Sequence, residues 1–87
     1  MMARVQIGEI THYFNRIGVA VVSLTGDLRV GDVIHILGRL TDFQQQVTSL
    51  QIEHQSIQAA GAGQEVAMKV SRPVRPHDRV YKIPEET

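Results

Sequence analysis

Apolar residues recur along this chain in short bursts, and where a burst is long enough to test, they alternate. Val66, Met68 and Val70 fall on one side of the run from 65 to 71, while Glu65, Ala67, Lys69 and Ser71 fall on the other. That period of two is what a half-buried strand requires. Six such bursts can be read: Arg4–Phe14, Val19–Thr25, Val33–Leu37, Gln44–His54, Glu65–Ser71 and Arg79–Ile83. Between them stand Asn15-Arg16-Ile17-Gly18, Gly26-Asp27, Gly31-Asp32, Gly38, Gly61-Ala62-Gly63 and the prolines Pro73 and Pro76. These residues supply positive or fixed φ where a chain must reverse. Short strands with turn signals at intervals of about 8–12 residues predict an all-β sandwich or barrel.

Two bursts slip phase. In the fourth, Val47 is followed by Leu50 and Ile52 as inward residues, a spacing that predicts a β-bulge around Thr48-Ser49. The first shows the same slip between Ile7 and Ile10, beside Gly8. Bulges bend strands, and bent strands close barrels. In Val33–Leu37, Ile34 and Ile36 alternate with Val33, His35 and Leu37 in a strand that reads as covered on both faces. A helix over Gln44–Gln58 would place Val47, Leu50, His54 and Ile57 on one stripe. The Thr48-Ser49 pair, the β-branched residues and the lack of a second helix to pack on favour strand. Residues 1–83 read as one domain without internal repeat or linker, and 84–87 as a disordered tail.

Composition narrows the function. A chain of 87 residues has room for one core and little material for a deep cleft. Nine Lys/Arg balance nine Asp/Glu, so no overall charge draws it to nucleic acid or membrane, and any such contact needs a local patch. Without cysteine there is no disulfide, thiolate zinc site or cysteine nucleophile, which fits a reducing compartment. The N-terminal residues lack the apolar core of a signal peptide, and the most apolar stretch, Ile17–Leu24, is far short of a membrane span. A cytoplasmic protein is expected.

Three segments line up in order. Arg16-Ile17-Gly18-Val19-Ala20-Val21 runs into Gly26-Asp27-Leu28-Arg29-Val30-Gly31-Asp32-Val33-Ile34-His35-Ile36. Val47-Thr48-Ser49-Leu50-Gln51-Ile52 precedes Ile57-Gln58-Ala59-Ala60-Gly61-Ala62-Gly63-Gln64-Glu65-Val66-Ala67, and Asp78-Arg79-Val80-Tyr81-Lys82-Ile83 closes the series. This order resembles the second-domain β-barrel of translational GTPases such as elongation factor Tu and initiation factor two. It is also similar to the barrel at the C-terminus of some U32-type peptidases. The resemblance spans about residues 5 to 83 and implies a small, closed, six-stranded Greek-key barrel. The GTPase itself has no counterpart: neither a phosphate-binding Gly-x-x-x-x-Gly-Lys-Ser/Thr run nor any Gly-Lys dipeptide occurs, so no nucleotide is expected. Arg72-Pro73-Val74-Arg75-Pro76-His77 is shorter than the corresponding stretch of elongation factors.

Candidate sites are few. Arg72, Arg75, His77, Arg79 and Lys82 could track phosphates, or form a solvated loop paired with Asp78, Glu85 and Glu86. Tyr13 and Phe14 beside Arg16 could stack on bases or anchor a protein, or simply lid the core. His12, His35, His54 and His77 lack a metal-ligand spacing, and no Ser, His and Asp stand in a recognisable catalytic turn. No metal, cofactor or catalytic residue is expected. The chain reads as a non-catalytic, translation-factor-like binding module for RNA, the ribosome or a larger protein. The alternative is a detached accessory subunit of a U32-type peptidase or RNA-modification enzyme. Val19-Ala20-Val21-Val22 and the Val33/Leu37 face leave room for self-association. Whether Arg16, Arg29, Arg39, Arg72 and Arg75 share one face is the question on which a charged partner turns.

Overall fold

The computed structural model describes residues 4–84. The described residues form ten strands and no helix: β1 (Val5–Phe14), β2 (Val19–Leu24), β3 (Leu28–Arg29), β4 (Val33–Leu37), β5 (Asp42–Gln46), β6 (Leu50–Ile52), β7 (Gln55–Ile57), β8 (Ala59–Ala60), β9 (Glu65–Lys69) and β10 (Arg79–Ile83). Eight of them make one antiparallel sheet in the order β5-β4-β10-β1-β2-β9-β6-β7, and β3 and β8 form a separate two-stranded ribbon. No helix among the described residues is long and apolar enough to cross a membrane.

The alternation read from the sequence is what the core uses. Val66, Met68 and Val70 are buried, as are Ile34, Ile36, Val47 and Leu50. With Ile7, Ile10, Val22, Leu24, Leu28, Phe43, Val74 and Val80 among others they form one apolar cluster, against which Tyr13, Val30, Ile52, Ile57 and Ala60 pack. The slip at Ile7–Ile10 corresponds to an irregular register, whereas the β-bulge expected around Thr48-Ser49 is absent, because residues 47–49 lie between two separate strands. The β1–β10 ladder shifts between Gln6 and Gly8, and the β1–β2 ladder shifts between Ile10 and His12. Each shift inserts one residue on β1, and the first of them lets Ile7 and Ile10, three apart, both face inward.

The fourth burst is corrected by the structure. One strand was expected over Gln44–His54; there are two, β5 and β6, separated by residues 47–49. β5 pairs with β4, and β6 pairs with β9. The hydrogen-bonded ladder is therefore not a closed ring of six strands, the second correction. The chain instead crosses between the two parts at residues 47–49, leaving the edge strand β5 at Gln46 and entering β6, beside β9, at Leu50. One side chain spans the remaining gap: the Gln45 amide donates to the Lys69 carbonyl (2.9 Å) and accepts from the Ser71 N–H (2.8 Å). It thus reproduces the donor and acceptor of a peptide unit where no strand stands. The helical alternative over Gln44–Gln58 has no place, because Glu53-His54 turns β6 back onto β7.

A single four-residue turn is used three times, each time immediately before a strand. In residues 29–32, ahead of β4, the Arg29 N–H donates to the Asp32 carboxylate (2.9 Å) and the Asp32 N–H returns to the Arg29 carbonyl (3.1 Å). In 75–78, ahead of β10, Arg75 and Asp78 repeat the pair at 2.9 and 3.1 Å. In 61–64, ahead of β9, Gly61 and Gln64 repeat it at 2.8 and 3.2 Å. The third residue has positive φ in every copy: Gly31 (101°), His77 (78°) and Gly63 (88°). Positive φ at that position is the signature of a type II turn, and Pro76 occupies the preceding position that such turns favour.

Candidate functional site

Strand pairing and the 75–78 turn bring three of the nine Lys/Arg residues together on the rolled sheet. The β1–β2 hairpin tip, where Phe14 faces Val19, abuts the last residue of β9, since Val19 faces Lys69. From Lys69, which lies beside Gln45, the chain runs past Phe43 to β10, whose first residue Arg79 faces Leu37 and, on its other side, Glu9, five residues short of the hairpin tip. Of the six cations Arg16, Arg39, Lys69, Arg72, Arg75 and Arg79, the three that gather where Leu37 faces Asp42 are Arg39, Arg75 and Arg79. Arg29 does not join them: it lies on β3 beyond the opposite ends of β4 and β10, where Val33 faces Ile83.

The acids at this end are already engaged. Asp78 is 4% exposed, and its carboxylate caps the turn through the Arg75 N–H rather than through a guanidinium. Asp42 accepts from His35 at 2.6 Å, and Glu9 meets His77 at 3.2 Å. Among the described residues, none of the six cations forms an ion pair. The expected pairing of the arginines with Asp78 is therefore replaced by a backbone cap, and Glu85 and Glu86 lie outside the described residues.

A surface pocket of about 590 Å³ opens between the β4–β5 hairpin and the 75–78 turn, lined by Gly38, Arg39, Leu40, Arg75, Pro76, His77, Asp78 and Arg79. Leu40, at the hairpin tip, is 74% exposed. Of the candidates read from the sequence, Arg75 and Arg79 come together here with Arg39. Arg72 sits apart, its guanidinium 5.9 Å from the centre of the Phe43 ring, a cation–π arrangement. Tyr13 packs against the core as a lid. Phe14 is exposed and stacks on His12, ring centres 4.2 Å apart. Phe14 also lines a second, shallower groove with Val21, Ile52, Glu53, His54 and Ala67, so the aromatic and arginine candidates do not form one site. Leu40 carried no local signal and Gly38 only that of a turn; the Leu37–Arg79 register, invisible in one dimension, places them beside the arginines.

His35 is the one buried imidazole, 6% exposed, held between Arg4 and Asp42. A guanidinium can only donate, so Nδ1 of His35 accepts from Arg4 and Nε2–H donates to Asp42. The ring uses both nitrogens, with no hydroxyl in the relay. It is a structural tie between β4, β5 and the start of β1. The histidines do not gather, and no three His, Cys, Asp or Glu among the described residues could hold a metal ion together.

The fold is similar to that of a solved domain. The C-terminal domain of a Geobacillus thermoleovorans putative U32 peptidase superposes with a TM-score of 0.84 at 28% identity, over 88% of this chain and 98% of that one. The chain is similar to a U32 peptidase's C-terminal domain. A second structure of that domain gives 0.84 at 27% identity over 90% and 91% of the two chains. Among curated proteins, an uncharacterized protease of Methanocaldococcus jannaschii is 35% identical over 83 residues, and a collagenase of Porphyromonas gingivalis is 35% identical over 82. These matches cover 94% and 92% of this chain but 20% of each relative. The chain thus spans about a fifth of the length of the curated relatives it matches. No family model matches it. Of the two resemblances drawn from the sequence, the comparisons carry the U32-type one; the translation-factor assignment, and with it the ribosome, gains no support from them.

Proposed function

We propose that this chain is a non-catalytic accessory domain of a larger U32-type enzyme, working as the C-terminal domain of such a protein and contributing binding rather than bond-breaking. The observation that carries this reading is the superposition on a solved U32-type C-terminal domain over nearly its whole length. The side-chain inventory agrees with it. The buried histidine spends both nitrogens on structure, the buried aspartate spends its carboxylate on a turn, and neither faces a nucleophile. What the surface offers a partner is the arginine-lined pocket, whose cations are left free by the local acids.

The test is reconstitution. The chain is mixed with a U32-type catalytic body from which the C-terminal domain has been deleted, and association is followed by sedimentation velocity. A stoichiometric complex, with catalytic activity requiring the body alone or the body plus the chain but never the chain alone, is the expected result. Failure to associate in cis and in trans, or peptide cleavage by the isolated chain, overturns it.

A further inference from the structure

We infer that the pocket between the β4–β5 hairpin and the 75–78 turn is a docking site for an acidic peptide segment with an apolar residue beside its carboxylates. For the identity of the protein bearing that segment, the inference rests on the accessory-domain reading; for the chemistry of the pocket, it does not.

Charge complementarity selects the sign of the occupant. Arg39, Arg75 and Arg79 all line the pocket and are exposed, and none is neutralised among the described residues. Planar guanidinium groups converging on one hollow suit carboxylates, which they hold through paired N–H donors. Asp78, on the pocket floor, does not compete: it is buried and its Oδ2 is occupied by the Arg75 N–H. The Arg75 backbone is fixed by that cap, so its side chain starts from a rigid turn instead of a mobile loop.

The apolar half selects a peptide over a nucleic acid. Leu40 stands 74% exposed at the hairpin tip and lines the same hollow as Pro76. An exposed leucine ringed by arginines matches an apolar anchor bordered by carboxylates. A phosphate backbone would satisfy the arginines and leave Leu40 without a counterpart. Reading bases would require a stacking platform, yet Phe14 lines the other groove and Phe43 is buried beneath Arg72.

Fluorescence anisotropy tests this with the intact chain and three labelled probes: a peptide containing Glu-Asp-Leu-Glu, its Gln-Asn-Leu-Gln counterpart, and a single-stranded RNA. The acidic peptide is expected to bind at low salt and to weaken several-fold as ionic strength rises to about 0.15 M. The amide counterpart should bind at least about tenfold more weakly. Arg75→Gln with Arg79→Gln should cost at least about tenfold, and Leu40→Ser about threefold, while Arg29→Gln at the opposite end leaves affinity unchanged. All four positions are exposed, and circular dichroism confirms that each variant is folded. Equal binding of the acidic and amide peptides, RNA binding without peptide binding, or indifference to the Arg75/Arg79 pair overturns the inference. The two readings fail separately. Peptide capture without association with the catalytic body removes only the accessory reading, whereas association that survives the Arg75/Arg79 substitutions removes only the pocket.

Discussion

Gly38 is irreplaceable for a reason of space, and Gly38→Ala should be among the most damaging single-methyl additions in the molecule. A Cβ built there would lie 1.8 Å from Oδ1 and 2.6 Å from Cγ of Asp78. Asp78 has nowhere to retreat: it is 4% exposed, its Oδ2 accepts the Arg75 N–H, its carbonyl accepts the Ile10 N–H at 2.8 Å, and the neighbouring His77 N–H donates to the Ile10 carbonyl at 2.8 Å. Moving the carboxylate sacrifices a charge-assisted hydrogen bond worth roughly 1.5–3 kcal/mol, and displacing the turn disturbs its hold on β1. We expect a loss of about 2–4 kcal/mol, read as a shift in urea midpoint by far-ultraviolet circular dichroism. For a domain of this size that lowers the melting temperature by roughly 10 °C or more. The decisive measurement is a double-mutant cycle. Asp78→Ala alone should cost about 1–3 kcal/mol, and in its background Gly38→Ala should cost little, because the obstructing atoms are gone. Additive costs, or a Gly38→Ala variant within about 0.5 kcal/mol of the parent, would refute the steric argument.

Three other perturbations follow from the same description. Gln45→Leu removes both bonds that bridge β5 to the end of β9 and should cost about 1–2 kcal/mol; hydrogen exchange at the Ser71 amide should accelerate more than that of the β1–β2 ladder, and equal protection in both would disprove the bridge. The β6–β7 turn places two non-glycine residues at positive φ, Glu53 (50°) and His54 (66°), as a type I′ turn demands. Replacing the pair by Asn-Gly should stabilise by about 1 kcal/mol in denaturant titration, and destabilisation would count against the strain. Met68→Ala, at a side chain with no exposure in the centre of the core, should cost about 2–5 kcal/mol and leave a barely folded chain; a midpoint close to the parent's would mean the core is not packed as described.

How much of this was legible in the sequence depended on whether the cause was local. The Val66, Met68, Val70 alternation is a local property and survives intact in β9. So does the slip at Ile7–Ile10, because an inserted residue shifts phase wherever the strand happens to pair, whereas the spacing of Val47 and Leu50 marked the end of one strand and the start of another. β3, β7 and β8 escaped notice for the opposite reason. They are two or three residues long and owe their conformation to a partner: Gln55-Ser56-Ile57 is strand only because Leu50–Ile52 lies beside it. The connecting Glu53-His54 carries neither Asn nor Gly, so no turn signal announced it. The splitting of the Gln44–His54 burst was hidden likewise, since the two halves differ in neighbour rather than in composition. For the site, Arg75 and Arg79 were accessible as a basic run, whereas Arg39 and Leu40 required the β4–β10 register. One signal was available and unused: Arg29-Val30-Gly31-Asp32 and Arg75-Pro76-His77-Asp78 share arginine and aspartate at the same spacing. Their kinship marks the second as a built turn instead of a loose basic loop.

The way the two ends of the sheet meet sets where this molecule tolerates being cut. Severing the backbone between Thr48 and Ser49, as in a circular permutant, would leave the edge strand β5 without its covalent tie to β6 and linked to the end of β9 through Gln45. Its outer margin would then be free to swing out and offer unpaired amides and carbonyls to another copy. New termini at Asn15–Arg16, where Phe14 and Val19 already bond to each other, would open nothing. The topology thus assigns one seam to be guarded and leaves the hairpin tips free to vary.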